Sequence, residues 1–504
     1  MLSEARKRFF SNGIIMTIVG LALRTVGLIF GAYISRAVGA EGVGLNTLIT
    51  TVYSFALTFA TSGISLTVTR LVASHIGDGD TTRISVTLRS SFIYALIFSG
   101  AATAVLAGLS GVFATAVIGD PRAVLPLQIL SLSLIPEALL GVISGYFIGV
   151  RTVGRSSLVS ILGQIFRIAL TVFLLMSLGE IGVERSVAAL AIGLSVTSFL
   201  TFLVALLIFL IDRHGKGRRG GVDLGEIAGT ALPLSTSAYI RQGLLSVEHS
   251  IIPKRLETRG DTMAEALSSF GTLHGMALPM LTYPMSPLSS FAGLLVPEFA
   301  EAEARGEKLR LSRIASEAIS ATLKYATVVA VLLFLFSEDL GYMVYSSYDA
   351  GYYIALLAPV VPIMYLDHIT DAILKGIGEQ VYSMWVNILD SALSVLLVWV
   401  LIPIFGIAGY AIVIIVMEGF NFILSFLKLR QRIKPRVTLI PSVIIPFISS
   451  GIAAFLVSRL FVPTGSAVTF GFILLKLVFA LSATVAISIL LSAIGGLTHN
   501  RRNK

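Results

Sequence analysis

Residues 12–39 read NGIIMTIVGLALRTVGLIFGAYISRAVG, an apolar run with a single arginine, Arg24, near its middle. At helical rise Arg24 lies about 18 Å from one end of the run and about 22 Å from the other. A bilayer's hydrocarbon core is about 30 Å thick, so the guanidinium cannot easily snorkel to either surface. A cation at that depth costs from about 3 to more than 10 kcal/mol unless it meets water, a buried partner or an anion. Arg241 occupies the middle of the seventh apolar run in the same way. Two such cations, at matching places in two halves of one chain, suggest a transport cavity for an anionic ligand.

Apolar runs recur along all 504 residues, with 55% hydrophobic and 13% charged residues and a mean hydropathy of +0.90. These values place the chain among polytopic helical membrane proteins. The ten-residue alternation of an outer-membrane barrel is absent. Arg6, Lys7 and Arg8 precede a hydrophobic stretch too long for a signal-peptide core and without a cleavage site, so the first helix reads as its own targeting signal. With no cysteine, disulfides, thiol catalysis and thiolate metal sites are excluded. No phosphate-binding GxxxxGK[ST] motif occurs, so ATP hydrolysis is not encoded, and no large extramembrane domain offers a catalytic site. Neither an enzyme nor a cofactor is expected.

The expected fold class is an all-α polytopic membrane protein with fourteen transmembrane helices. They fall near 12–38, 44–70, 87–118, 124–150, 157–178, 186–211, 226–252, 267–296, 314–336, 351–374, 381–402, 406–427, 439–461 and 467–494. With the N-terminus inside, 25 of the 37 lysines and arginines fall in cytoplasmic segments, seven outside and five within spans. That asymmetry predicts that both termini are cytoplasmic. The net charge of +9 then belongs to topological anchors such as 213–219 and 428–436 beside an anionic leaflet. No aromatic-interleaved basic patch or soluble domain accompanies the charge, so nucleic acid is not expected as a partner.

Spacing between the halves points to a parallel repeat. Gly154 and Gly378 are 224 residues apart, as are Gly182 and Gly406; Gly44 and Gly271 are 227 apart, and Arg24 and Arg241 are 217 apart. Six spans and six spans that start on the same side imply two pseudo-symmetric six-helix lobes, as in transporters whose site lies between two bundles. The expected domains are 1–222 for spans 1–6, 223–437 for spans 7–12, and 438–504 for two extra helices and a tail. The basic, glycine-rich stretch 212–225 reads as the linker. Pro233, Pro279, Pro284, Pro287, Pro359 and Pro362 crowd spans 7, 8 and 10, either as packing kinks or as bends used in transport.

Thr17, Gly20, Arg24, Leu28 and Gly31 share one face of span 1, with small residues leaving room around the charge. Span 2 carries Thr47, Thr50, Ser54, Thr58, Thr61 and Ser65 at helical spacing, either a packing seam or a hydroxyl-lined wall suited to a sugar. The candidate substrate-binding set is Arg24, Arg241, Ser54, Thr58 and His274. Glu248 lies two turns from Arg241, too far for a direct pair within the helix. Asp367 and Asp371 flank His368 on span 10, and a carboxylate pair with histidine suits a proton or a coupling ion. Cavity lining and charge balance are the alternatives, and an integral membrane enzyme built on this cluster is a further one. Asp367, Asp371 and Glu248 form the candidate ion-coupling set; no metal site is expected. Glu137, Arg167, Asp390 and Glu418 read as single structural groups, and Lys476 either lines a groove or pairs internally.

The segments Leu23-Arg24-Thr25-Val26-Gly27, Arg36-Ala37-Val38-Gly39 and Leu295-Val296-Pro297-Glu298, with six, six and two spans, resemble the multidrug/oligosaccharidyl-lipid/polysaccharide (MOP) exporter superfamily. The likeness is greatest to its polysaccharide biosynthesis and stage V sporulation protein B branch, near the lipid II flippases, and covers essentially the whole chain. It implies two V-shaped lobes around a central cavity and movement of undecaprenyl-diphosphate-linked saccharide from inner to outer leaflet of the bacterial cytoplasmic membrane. Lipid II flippases carry an essential first-helix arginine, which corresponds to Arg24. Their second cation about a turn later is unmatched, since Ile29, Phe30 and Gly31 stand there, which leaves the sugar open. The expected partners are a prenyl-diphosphate-linked saccharide, the bilayer and cell-wall synthesis enzymes, for a monomeric flippase. A cation-coupled multidrug exporter and a non-transporting cell-wall scaffold are the competing readings.

Overall fold

Gly39 interrupts the first helical stretch with φ 73° and ψ 173°, a conformation that favours glycine. Without that break the 60 residues of α1 (Leu2–Thr61) would run about 90 Å, three times a hydrocarbon core. The kink falls between the first two expected spans and separates them. The computed structural model describes residues 2–78, 80–178, 182–212, 222–460 and 475–489. The expected linker's basic run 213–219 and much of span 14 lie outside the described residues, as does the side chain of Thr17.

By internal contacts the chain forms two compact units, one of residues up to Phe30 with Ala37–Gly271, the other of Gly31–Arg36 with Thr272 onward. The first holds most of α1, then α2 (Ile64–Gly77), α3 (Thr81–Gly108), α4 (Val124–Ser131), α5 (Leu134–Gly149), α6 (Val153–Leu178), α7 (Val183–Asp212), α8 (Leu224–Glu257) and α9 (Met263–Phe270). The second holds α10 (Ser286–Ala304), α11 (Lys308–Leu335), α12 (Ser337–Tyr345), α13 (Tyr348–Leu357), α14 (Val361–Gly376), α15 (Gln380–Phe405), α16 (Ile407–Arg432) and α17 (Ile445–Leu460). A last helix, α18 (Leu475–Ile489), follows. The sequence places a boundary at 222/223, whereas the contacts of the first unit run on through α8 and α9.

The two units repeat one packing scheme. In the first, α5 packs against α2, α3 and α7, and α6 pairs with α7; in the second, α14 packs against α10, α11 and α16, and α15 pairs with α16. One pair of close crossings matches residue by residue. A Cβ on Gly149 would meet Val72 Cβ at 3.0 Å and Thr69 O at 3.1 Å; one on Gly376 would meet Phe299 Cβ at 2.7 Å and Val296 O at 3.0 Å. All three positions are displaced by 227 residues. In lipid, where burial of apolar surface drives little, such close backbone approach supplies the van der Waals contact that holds helices together. Around it in the first unit pack Ile64, Val68, Leu88, Val142, Tyr146 and Phe209.

Among the described residues there is no strand. Nine helices there are long and apolar enough to cross a membrane, ten if Pro121–Ser131 and Leu134–Gly149, bent by 42°, form one crossing. The difference from fourteen has identifiable causes. Ala22–Gly77 covers two expected spans in one stretch. Span 7 carries Arg241 and Glu248, and span 8 is broken at Pro279, Pro284 and Pro287. α18 has too few described residues to span alone.

Span 8 shows how the prolines are accommodated. The helix widens into a π turn over Gly271–Ala277 just before Pro279, where the ring would strike the carbonyl four residues back. Pro287 leaves the carbonyl of Tyr283 without its amide, and the Ser286 hydroxyl donates to it at 2.7 Å. Tyr365 and Tyr325 donate to the carbonyls of Leu281 at 2.8 Å and Pro284 at 2.7 Å. The irregular backbone is therefore satisfied by protein groups, as a membrane interior requires.

Candidate functional site

Arg24 is exposed on α1, and the face around it is open. Gly20, Gly27 and Gly31 lie within a narrow arc of it on the helix, and a Cβ added to any of them would meet nothing within 4 Å. These glycines are therefore not a packing seam against protein; they leave unfilled space beside the charge. Arg241 is likewise exposed, near the middle of the 34-residue α8. Both arginines fall in the first compact unit, although the sequence placed them in separate halves.

Two turns beyond Arg241 the same helix turns inward, with Glu248 and His249 buried. His249 Nδ1 lies 3.1 Å from the Thr51 hydroxyl, its ring is 5.7 Å from Phe270, and the neighbouring Ser246 hydroxyl reaches Thr51 O at 3.3 Å. The sequence singled out Glu248 and passed over His249. The span-2 hydroxyls mostly face their own backbone: Thr47, Thr50, Thr58 and Thr61 donate to carbonyls four residues earlier, at 2.7, 2.8, 2.8 and 2.9 Å. With the proton so used, Thr58 presents oxygen lone pairs. Ser54 and Thr58 are half-buried.

The remaining candidates lie in the second unit. His274 sits in the π turn, with Nδ1 3.0 Å from the hydroxyl of Tyr410 and the two rings stacked. Asp371 is occupied by Lys375, 2.5 Å away one turn on. Asp367 keeps one buried carboxylate oxygen without a hydrogen bond from protein. Asp390 on α15 and Glu418 on α16 lie within electrostatic range of it, as does the Ser425 hydroxyl. Asn387, Asn421 and Ser425 continue the polar strip at 3.4 Å separations. The sequence pairs Asp367 with Asp371, which stays within electrostatic range of it, and the fold adds two carboxyls read as isolated. Their common depth was the available signal, since each lies within about 14 Å of the same expected end of its span. Among the described residues no group of histidines and carboxylates is arranged to ligate a metal.

Two more intramembrane charges find partners. Arg167 lies 6.0 Å over the ring of Phe30, with Glu137 and Tyr53 in electrostatic range. Lys476 on α18 donates to Asp339 at 2.8 Å and lies 5.0 Å over Phe336.

Comparison with known proteins agrees with this architecture. Residues 9–221 match the family described as polysaccharide biosynthesis protein. Stage V sporulation protein B of Bacillus subtilis (strain 168) is 23% identical over 421 residues, covering 82% of this chain and 81% of the relative. Sporulation protein YkvU of the same organism is 20% identical over 405 residues, covering 78% and 88%. An inward-facing multidrug resistance MATE family transporter of the MOP superfamily superposes with a TM-score of 0.68 at 18% identity, over 82% of this chain and 98% of that one. The chain is thus a multi-pass membrane protein homologous to stage V sporulation protein B, with the polysaccharide biosynthesis family's sequence pattern in its first part and the fold of the MOP superfamily transporters, as its motifs implied.

Proposed function

We propose that this chain is an exporter of the MOP type that flips an undecaprenyl-diphosphate-linked saccharide, a peptidoglycan precursor or a related cell-wall or capsular unit, from the inner to the outer leaflet by alternating access. The observation that carries this reading is the pair of exposed mid-helix arginines, with open space along the glycine face beside Arg24. A diphosphate beside a bulky polar sugar needs cations and water inside the membrane. Arginine stays charged there and offers paired donors to phosphate oxygens. Ser54 and Thr58 supply acceptors for sugar hydroxyls, and the prenyl tail stays in lipid. The duplicated helix packing supports fourteen spans in two six-helix lobes with two further helices. The proposal sets a monomer in the bacterial cytoplasmic membrane, both termini inside, supplying cell-wall synthesis enzymes.

A cation-coupled multidrug exporter is the second reading, favoured by the Asp367, Asp390 and Glu418 grouping. Mass spectrometry of lipids retained on the purified protein separates the two. A prenyl-diphosphate saccharide supports the flippase; its absence together with proton- or sodium-coupled dye efflux supports the drug exporter.

A further inference from the structure

We infer that Arg167 is an additional anion contact for the lipid-linked cargo and that Glu137 is the counter-ion that replaces the cargo when the site is empty. This rests on the flippase reading and adds a residue and a step to it. Arg167 sits near the middle of α6, and the two faces of that helix differ sharply. Leu158, Ile165, Phe173 and Met176 form one exposed apolar stripe, the face that suits lipid. Arg167 projects from the opposite side, with Ser156, Ser160, Gly163 and Gln164. Its side chain is exposed. An exposed arginine turned away from the lipid stripe is placed to meet water or a polar ligand rather than acyl chains.

The surroundings of Arg167 are built to hold it there. Its guanidinium lies 6.0 Å over Phe30, a buried ring on α1, within the range of a cation–π contact. Glu137 on α5 supplies the compensating charge and is itself fixed by Ser198 of α7, whose hydroxyl donates to Oε1 at 2.5 Å. Tyr53 faces the same group, with the Ser133 hydroxyl 2.8 Å from its own. Glu137 and Arg167 are not in ion-pair contact; the carboxylate compensates the guanidinium across a gap. A carrier with a cationic cavity must make half of its cycle without cargo, and an uncompensated cation at mid-membrane is costly. Glu137 removes that cost in the empty state, and a diphosphate competes with it in the loaded state. The carboxylate therefore weakens cargo binding and speeds the empty return.

The test uses the full chain in nanodiscs, with undecaprenyl diphosphate and uncharged undecaprenol as probes and lipid flipping as a second readout. Arg167→Gln is expected to weaken diphosphate binding about tenfold, the scale of one lost charge-assisted contact, and to leave undecaprenol binding unchanged. Arg167→Lys recovers part of the loss. Glu137→Gln tightens diphosphate binding and slows turnover. Wild-type diphosphate affinity in Arg167→Gln, with Arg24→Ala impaired, overturns this inference and leaves the flippase reading standing. No preference of the wild-type protein for diphosphate over undecaprenol overturns both. Full transport in the neutral double variant Glu137→Gln/Arg167→Gln makes the pair structural and also overturns the inference.

Discussion

Gly44 and Gly271 cross backbone to backbone, and each abuts the carbonyl four residues before the other. A Cβ on Gly44 would lie 2.0 Å from Leu267 O; one on Gly271 would lie 2.2 Å from Ala40 O and 2.6 Å from Gly44 N. The contact is reciprocal, as between two copies of one element, and the glycines are 227 residues apart. The same displacement relates the Gly149 and Gly376 crossings. Equal spacing along the chain thus corresponds to equal contacts in the fold.

Alanine at either crossing glycine should separate the helices, because the obstacle is a backbone carbonyl that cannot rotate away. Gly44→Ala and Gly271→Ala are each expected to cost about 1–3 kcal/mol, the range for overpacking. Gly27→Ala, at an open position, should be neutral. Thermal unfolding of the detergent-purified protein checks this, and a wild-type midpoint in Gly44→Ala contradicts the described crossing.

Arg24→Ala is expected to lower flipping by about 100-fold, the loss of a paired charge-assisted contact, with insertion and folding intact. Arg24→Lys should restore only part, since a point charge lacks the planar fork. Arg241→Ala should behave like Arg24→Ala. Normal flipping in both alanine variants, measured in proteoliposomes, removes the cationic-site mechanism while leaving the fold.

What could be read from sequence was whatever a single helix carries in itself. Membrane class, the mid-helix position of Arg24 and Arg241, the proline-broken span 8 and the repeat spacing are all local or periodic features. Meetings between spans were not legible, because they depend on how each helix is rotated about its axis. Asp390 and Glu418 joined Asp367 and Asp371, Lys375 paired with Asp371, and His249 reached Thr51, each across or along helices whose facing was unknown. The path of α8 into the first unit is of the same kind, since a loop's position says nothing about which bundle the next helix packs on.

The acidic residues should divide in function. Asp371 is paired with a half-exposed lysine at the helix end, so Asp371→Asn should leave ion dependence unchanged. Asp367, with Asp390 and Glu418 nearby, is the residue whose Asn variant should abolish dependence on a proton or sodium gradient while sparing lipid binding. Transport assayed across pH and sodium decides it; wild-type dependence in Asp367→Asn makes the group structural.

Membrane sidedness is checked by single cysteines in this cysteine-free chain. Glu41, Asp120, Arg122 and Lys254 come from loops expected outside, and they meet at one end of the first unit. Arg122 pairs with Glu41 at 2.7 Å and Asp120 at 2.6 Å, and Lys254 donates to Ala116 O. The hydrogen bonds to Asp120 push the Arg122 guanidinium up from its ordinary value. Glu303, Glu379, Lys428 and Arg432, expected inside, form a network at one end of the second unit. An impermeant thiol reagent should label cysteines at 258–260 from outside and none at 428–436. External labelling of the latter defeats the proposed topology.

Lys476 and Asp339 should be unequal partners. The Lys476 side chain is 11% exposed, whereas the Asp339 side chain is 40% exposed. Removing the lysine leaves a carboxylate that water can reach, so Lys476→Met, which keeps the apolar stem, should change stability little. Removing the carboxylate strands a buried ammonium over the face of Phe336. A buried charge stripped of its partner costs more than the pair contributes. Asp339→Ala is therefore expected to destabilise by about 1–3 kcal/mol, more than Lys476→Met, and to loosen α18 from α12. The reversed pair, Asp339→Lys with Lys476→Asp, should recover part of the loss. Thermal unfolding gives the ranking, and a disulfide cross-link between cysteines placed on α12 and α18 reports the docking. If Lys476→Met melts far below Asp339→Ala, the lysine acts through something other than this carboxylate, and the pair is not what fastens α18.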